Sequence, residues 1–145
     1  MKINVKTTSP NVILPTRGSN GAAGYDLYSN EEFSIIINPG ESAMIHTGIC
    51  IEIPHGYFGA IFPRSGLATK NGLRLSNCVG VIDEDYRGEC MVPIYNDSNE
   101  RQMISTKSRI AQLVILPYEE IVFHKVEELS NSNRNNGGFG STGLQ

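Results

Sequence analysis

The sequence predicts an all-β fold of short strands, a sandwich or a barrel. Apolar residues come in brief runs rich in β-branched side chains, and turn residues break those runs at short intervals. The 3.6-residue periodicity of an amphipathic helix is not sustained anywhere along the chain.

Taken in order, residues 21–27 (GAAGYDL) lead from glycines into a strand that begins near Asp26. Residues 33–38 (FSIIIN) stop at Pro39-Gly40, a pair that initiates a turn. Residues 43–53 form one longer apolar run that ends at Pro54-His55-Gly56. Residues 57–62 end at Pro63, which has no N–H to continue a ladder. Residues 66–71 have room for a brief helical turn. A hairpin spans residues 77–89, with 78–82 as its first arm and an acidic turn at Asp83-Glu84-Asp85. Residues 89–95 run into the turn-forming Asn96-Asp97-Ser98-Asn99, residues 110–116 stop at Pro117, and 121–126 are a last strand-like run. Residues 1–129 thus read as one β domain, and 130–145 (SNSNRNNGGFGSTGLQ) as a flexible glycine-rich tail with too little apolar surface to order itself.

Composition narrows the function. At 145 residues the chain suits one domain with a real core, and 39% hydrophobic against 19% charged residues argues against wholesale disorder. The net charge is −3 and the twelve Lys and Arg are scattered singly, so no basic stripe suits polymeric nucleic acid. Cys50, Cys78 and Cys90 are odd in number and lack a C-x-x-C pair, which reads as reduced thiols in a reducing compartment. The first residues, MKINVKTTSP, lack a signal-peptide core, and no apolar run approaches the ~20 residues of a membrane span. The expected location is intracellular and cytoplasmic, or nuclear or within a host cell if the chain is viral, with no membrane partner. His46, His55 and His124 have no metal-ligand spacing with one another or with the cysteines.

Five segments carry chemistry, although each also fits a plain turn or tail. In Pro63-Arg64-Ser65-Gly66-Leu67-Ala68 an arginine fork and a hydroxyl suit phosphate oxygens, and Gly66 lets backbone N–H groups approach an anion. In 80–89 (GVIDEDYRGE) a carboxylate at the end of a strand can act as a general base, while Glu84 and Asp85 read as solvated turn residues. Gln112, in RIAQL, can donate its amide to a phosphate. In the tail, Arg134, Ser141 and Thr142 flank glycines around Phe139, which can stack on a base. Asp26 can meet a Mg²⁺ through its waters or orient an arginine.

Together and in this order, AAGYDL, PRSGLA, GVIDEDYRGE, RIAQL and RNNGGFGSTG resemble the five motifs of the trimeric dUTPase family, from about Ala22 to Gly143. The resemblance implies a distorted jelly roll. It also implies hydrolysis of dUTP to dUMP and pyrophosphate with Mg²⁺, which keeps uracil out of DNA and supplies dUMP for thymidylate synthesis. It casts Asp83 as the base for water attack on the α-phosphorus and Tyr86 as the residue under the deoxyribose. Asn77 and the backbone of Gly80, Val81, Ile82 and Asp83 would meet uracil, with a further backbone contact at Met91. Arg64, Ser65, Gly66 and Gln112 would meet phosphates, Asp26 would lie near the Mg²⁺ waters, and Arg134, Phe139, Gly140, Ser141 and Thr142 would close over substrate. A homotrimer with sites shared between subunits is implied. Two positions depart from the pattern: Ser108 stands where an acidic residue usually precedes Arg109, and Asn135 where a glycine often follows the tail arginine. The alternatives are a dCTP deaminase, which shares the fold, and a dUTP-gated regulatory trimer.

Overall fold

A computed structural model describes residues 1–138. It contains twelve strands and one short helix. Strands β2 (Thr16–Arg17), β3 (Tyr25–Tyr28), β12 (Arg109–Pro117), β7 (Tyr57–Pro63) and β9 (Gly80–Ile82) form the largest sheet, in the order β2-β3-β12-β7-β9. A second sheet is ordered β5 (Ser42–Ile45), β10 (Val92–Asn96), β8 (Leu73–Leu75). Two pairs complete the wall: β1 (Asn4–Thr7) with β6 (Ile49–Glu52), and β4 (Ile35–Ile37) with β11 (Gln102–Ile104). Every pairing is antiparallel. The β prediction holds, and the sheets match jelly-roll architecture.

The core follows from strand alternation. In β10, Val92, Ile94 and Asn96 are buried while Pro93 and Tyr95 are only half-buried. Leu27, Ile37, Ile45, Ile49, Ile61 and Ile110 fill the space between the sheets. Asn96 is fully buried and fully bonded: its amide donates to the carbonyls of Ile37 (2.9 Å) and Glu100 (2.7 Å), and its oxygen accepts from the Ser98 N–H (3.0 Å). A buried amide satisfied in this way fixes the loop between β10 and β11.

The strand plan departs from the sequence reading in three places. The run 43–53 is two strands, not one, because Gly48 has φ +72 and lies in the left-handed region between β5 and β6. A β-carbon there would overlap Val12 and Asn30. Residues 121–126 form no strand within the single chain, and Ile121, Val122 and Phe123 stand exposed. Strands β1, β2, β8 and β11 are additional; they are short, and β1 and β2 have no buried residue to mark them. The helical turn is present as α1 (Ser65–Asn71), closed by Gly72 at φ 64. Among the described residues no helix is long and apolar enough to cross a membrane. Cys50, Cys78 and Cys90 are all free thiols. Burial pushes Cys90 up to about 12, which leaves it an inert core thiol.

Candidate active site

Strand β9 is the edge of the large sheet. Its inner side pairs with β7, Ile61 with Gly80, Ala60 with Val81 and Gly59 with Ile82. Its outer backbone N–H and C=O groups therefore face away from the sheet, as edge groups do. A cavity of about 300 Å³ lies here, and its wall includes Asn77, Gly80, Val81, Ile82, Asp83, Tyr86 and Met91. The structure thus brings into one cavity the hairpin residues expected to meet base, sugar and attacking water. A flat heterocycle with alternating donors and acceptors can use a strand edge as a partner strand would. Fixed backbone groups discriminate strongly, because a mismatched ring edge leaves them unpaired.

The turn beyond β9 is closed by the Tyr86 N–H donating to the Asp83 carbonyl at 3.1 Å. Asp83 is exposed at the rim, available to a water. The Tyr86 hydroxyl donates to the Glu89 carbonyl (3.1 Å), and its ring lies against Gly88. A β-carbon on Gly88 would fall on that ring and its hydroxyl. Gly88→Ala is therefore expected to push Tyr86 out of place. On the role that the resemblance implies for Tyr86, discrimination between dUTP and UTP should fall about tenfold, the scale of one methyl group in a tight pocket, and parallel turnover assays on the two nucleotides measure it.

Glu89 ties the far end of the hairpin to the body. Its carboxylate accepts from the Gly48 N–H (2.6 Å) and pairs with His46 Nδ1 at 2.9 Å. Burial alone would raise Glu89, but the bonds from His46 and Gly48 outweigh it and hold the carboxyl below its ordinary value. The same bond to Glu89 raises His46. The sequence reading missed Gly88 and Glu89 as working residues, although both lie inside the quoted GVIDEDYRGE. A glycine two positions after an aromatic was the available signal. Glu84 was expected to be a solvated turn residue; instead it bonds His55 Nδ1 (2.9 Å) and the Gly56 N–H (2.7 Å).

The phosphate-binding candidates form a second cluster. Asp26 is buried and spends one carboxylate oxygen on Arg64 Nε (2.9 Å) and the other on Arg109 Nη1 (3.2 Å). This is the arginine-orienting geometry. Arg109 is held by Asp26, while Ser108 bonds back to the Ser105 carbonyl (2.7 Å), so the departure at Ser108 does not leave Arg109 unsupported. Gln112 pairs across from Asp26 in the β12–β3 ladder. Its amide donates to the Pro63 carbonyl (3.0 Å), which leaves its second N–H for a ligand. A β-carbon on Gly24 would run into the Gln112 amide. Ser65 and Gly66 are exposed in the first turn of α1, next to Arg64.

The two clusters do not meet within one chain. None of Arg64, Ser65, Gly66 or Gln112 lines the cavity. Ile82 pairs with Gly59, so Asp83 sits beyond the Phe58 end of β7 while Arg64 follows Pro63 at the other end. Strand rise puts roughly 20 Å between those levels, far more than an arginine side chain spans.

In the tail, Arg134 Nε donates to the Gly137 carbonyl (2.7 Å), and Asn135 has φ 40, the left-handed angle that asparagine tolerates. Phe139, Gly140, Ser141 and Thr142 lie outside the described residues. Among the described residues no group of three His, Cys, Asp or Glu side chains converges as a metal site.

A dUTPase family model matches residues 10–143. The chain is 48% identical to the deoxyuridine 5'-triphosphate nucleotidohydrolase of Finegoldia magna, over 99% of both chains. Its backbone superposes with a TM-score of 0.86 on a mutant dUTPase of Staphylococcus bacteriophage 80alpha with dUpNHpp, at 32% identity and 99% coverage of both chains. A mutant dUTPase from phage phi11 of S. aureus, described as revealing the coordination of a structural Mg(II) ion, superposes at 0.78 with 28% identity, over 88% of this chain and 98% of the other. With its base-edge cavity, its arginine cluster and a match over almost its whole length, this chain belongs to the dUTPase family.

Proposed function

We propose that the chain hydrolyses dUTP to dUMP and pyrophosphate, in sites that copies of the chain build together as a homotrimer. Uracil sits on the outer edge of β9 beside Asn77, in the cavity that Met91 also lines. Tyr86 lies under the deoxyribose, where a 2′-hydroxyl would collide with its ring. Asp83 accepts a proton from water as the water oxygen bonds to the α-phosphorus. The bond from that phosphorus to the bridging oxygen breaks, and pyrophosphate leaves. Arg64, Gln112 and the first-turn backbone at Ser65 and Gly66 hold phosphate oxygens, and fixed charge at developing negative charge is worth far more in a closed site than in water. Arg134, Phe139, Gly140, Ser141 and Thr142 close over the bound nucleotide and exclude other water.

The observation that carries the shared site is the separation of Asp83 from Arg64 along β7. A single nucleotide cannot lie against both in one copy, but it can lie between copies. The exposed Ile121, Val122 and Phe123 support association, because an apolar strand-like run with no partner in its own chain suits a surface on another.

The donor set fits Mg²⁺ only as an ion that arrives with the triphosphate. Both oxygens of Asp26 already hold arginines, and Mg²⁺ characteristically keeps its waters and takes its remaining ligands from phosphates. When bound, the ion offsets phosphate charge and orients the triphosphate. Asp26 would meet it across a water.

A nucleotide panel with Mg²⁺ tests the reading. Pyrophosphate release from dUTP is expected to exceed that from dCTP, dTTP or UTP by at least about 10²: cytosine leaves the fixed backbone groups unpaired, while the thymine methyl and the 2′-hydroxyl meet steric bars at the hairpin and at Tyr86. Comparable release from dCTP, or ammonia from dCTP, would sink it.

A further inference from the structure

Asp83 lies one residue past the last pair that fixes β9, Ile82 with Gly59. The strand register therefore places the uracil-binding backbone but not the base. The turn must be held by something else, and its hydrogen-bonded side-chain tie to the body is Glu84, beside a longer ion pair of Arg87 with Glu52 at 3.9 Å. Glu84 does not line the cavity and turns outward, to the segment between β6 and β7. One carboxylate oxygen meets His55 Nδ1 at 2.9 Å, and the other accepts from the Gly56 N–H at 2.7 Å. The Gly56 carbonyl in turn accepts from the Tyr118 N–H at 3.1 Å, just past the end of β12, and the Tyr118 phenol faces Glu84 beside Asp83. Arg87 donates to the Glu84 and Tyr86 carbonyls and closes the turn from its other side.

We propose that Glu84 is a positioning residue for catalysis: through Gly56 and His55 it locks the turn that presents Asp83 to the attacking water. The inference rests on Asp83 being the base. The two ties differ in weight. His55 is 79% exposed on its side chain, so its ion pair is screened and weak. The bond from the Gly56 N–H is charge-assisted, its acceptor is only 27% exposed, and it does not depend on the state of His55. Mutual bonding raises His55 and lowers Glu84, in keeping with a formed pair.

This gives a ranked expectation. Glu84→Ala loses both ties and lowers kcat about tenfold or more, because small misplacements of a reacting group are costly. Its KM for dUTP and its affinity for a non-hydrolysable dUTP analogue stay within about threefold, since β9 keeps its register with β7. Glu84→Gln still accepts from Gly56 and loses only about threefold in kcat; His55→Ala behaves the same way. All are measured in the full chain with Mg²⁺, beside Asp83→Asn.

If Asp83→Asn turns over normally, the base assignment fails and this inference with it. If Asp83→Asn is dead but E84A runs at the wild-type kcat, the inference alone fails. Equal loss of kcat and of analogue affinity in E84A, without recovery in E84Q, also overturns it, since that pattern marks a general folding defect. Should E84A not fold, E84Q and H55A decide: a severalfold fall in kcat at constant KM supports the lock, and wild-type kcat in both refutes it.

Discussion

Asp83→Asn is expected to lower pyrophosphate release from dUTP by about 10²–10⁴ while the variant still binds a non-hydrolysable dUTP analogue. The amide has the size of the carboxylate but cannot take a proton from water. Asp83 is exposed at the end of β9, and its backbone carbonyl, not its side chain, closes the turn to Tyr86. Substitution therefore removes the chemistry and leaves the fold. Single-turnover kinetics and analogue titration separate the two quantities. A variant that lost binding and turnover together would point to a structural role for the carboxylate.

Arg64→Ala is expected to lower kcat/KM by about 10²–10³, the scale of removing one fixed donor from a developing oxyanion. Asp26 holds Arg64 through Nε, with Nη1 3.4 Å from the Arg109 carbonyl, which aims the remaining donors outward from the β7–α1 corner. Arg64→Lys should recover little, because an ammonium cannot both bond Asp26 sideways and present a planar fork. Folding should suffer less than catalysis. Arg109 remains on Asp26, so the buried carboxylate is not left without a partner. Steady-state kinetics with thermal melts give both numbers.

Much of the fold was legible because turn residues punctuate its short apolar runs. Residues 57–62 and 110–116 became β7 and β12, the paired centre of the large sheet. The run 43–53 misled because apolar continuity hides a change of direction, and Gly48 was the residue that turned it. Strands β1 and β2 left no trace because neither buries a residue, so no hydrophobic pattern exists to be read. Residues 121–126 carry a strand's pattern without a strand, a conflict that a partner surface on another copy would resolve.

The site was legible where chemistry depends on residue type and opaque where it depends on fit. Asp83, Tyr86, Arg64 and Gln112 stand out by their functional groups. Gly88 matters for an atom it lacks, and Glu89 for a bond to a glycine 41 residues earlier in the chain. Glu84 read as solvated because a turn full of carboxylates normally is; its partners His55 and Gly56 lie on a separate turn that only the β7–β9 pairing brings near. Asp26 had two readings, and its double arginine contact is the one visible in the geometry.

The central claim is that one dUTP site draws Asp83 and Arg64 from different copies of the chain. Mixing Asp83→Asn and Arg64→Ala chains, each almost inactive alone, and letting them reassemble tests it directly. In random mixed trimers about a quarter of the sites would join an intact Asp83 from one variant to an intact Arg64 from the other. Activity should therefore rise to about a quarter of wild type. If the mixture is no more active than its parents, although subunit exchange is demonstrated, both residues act within one copy and the shared site is wrong.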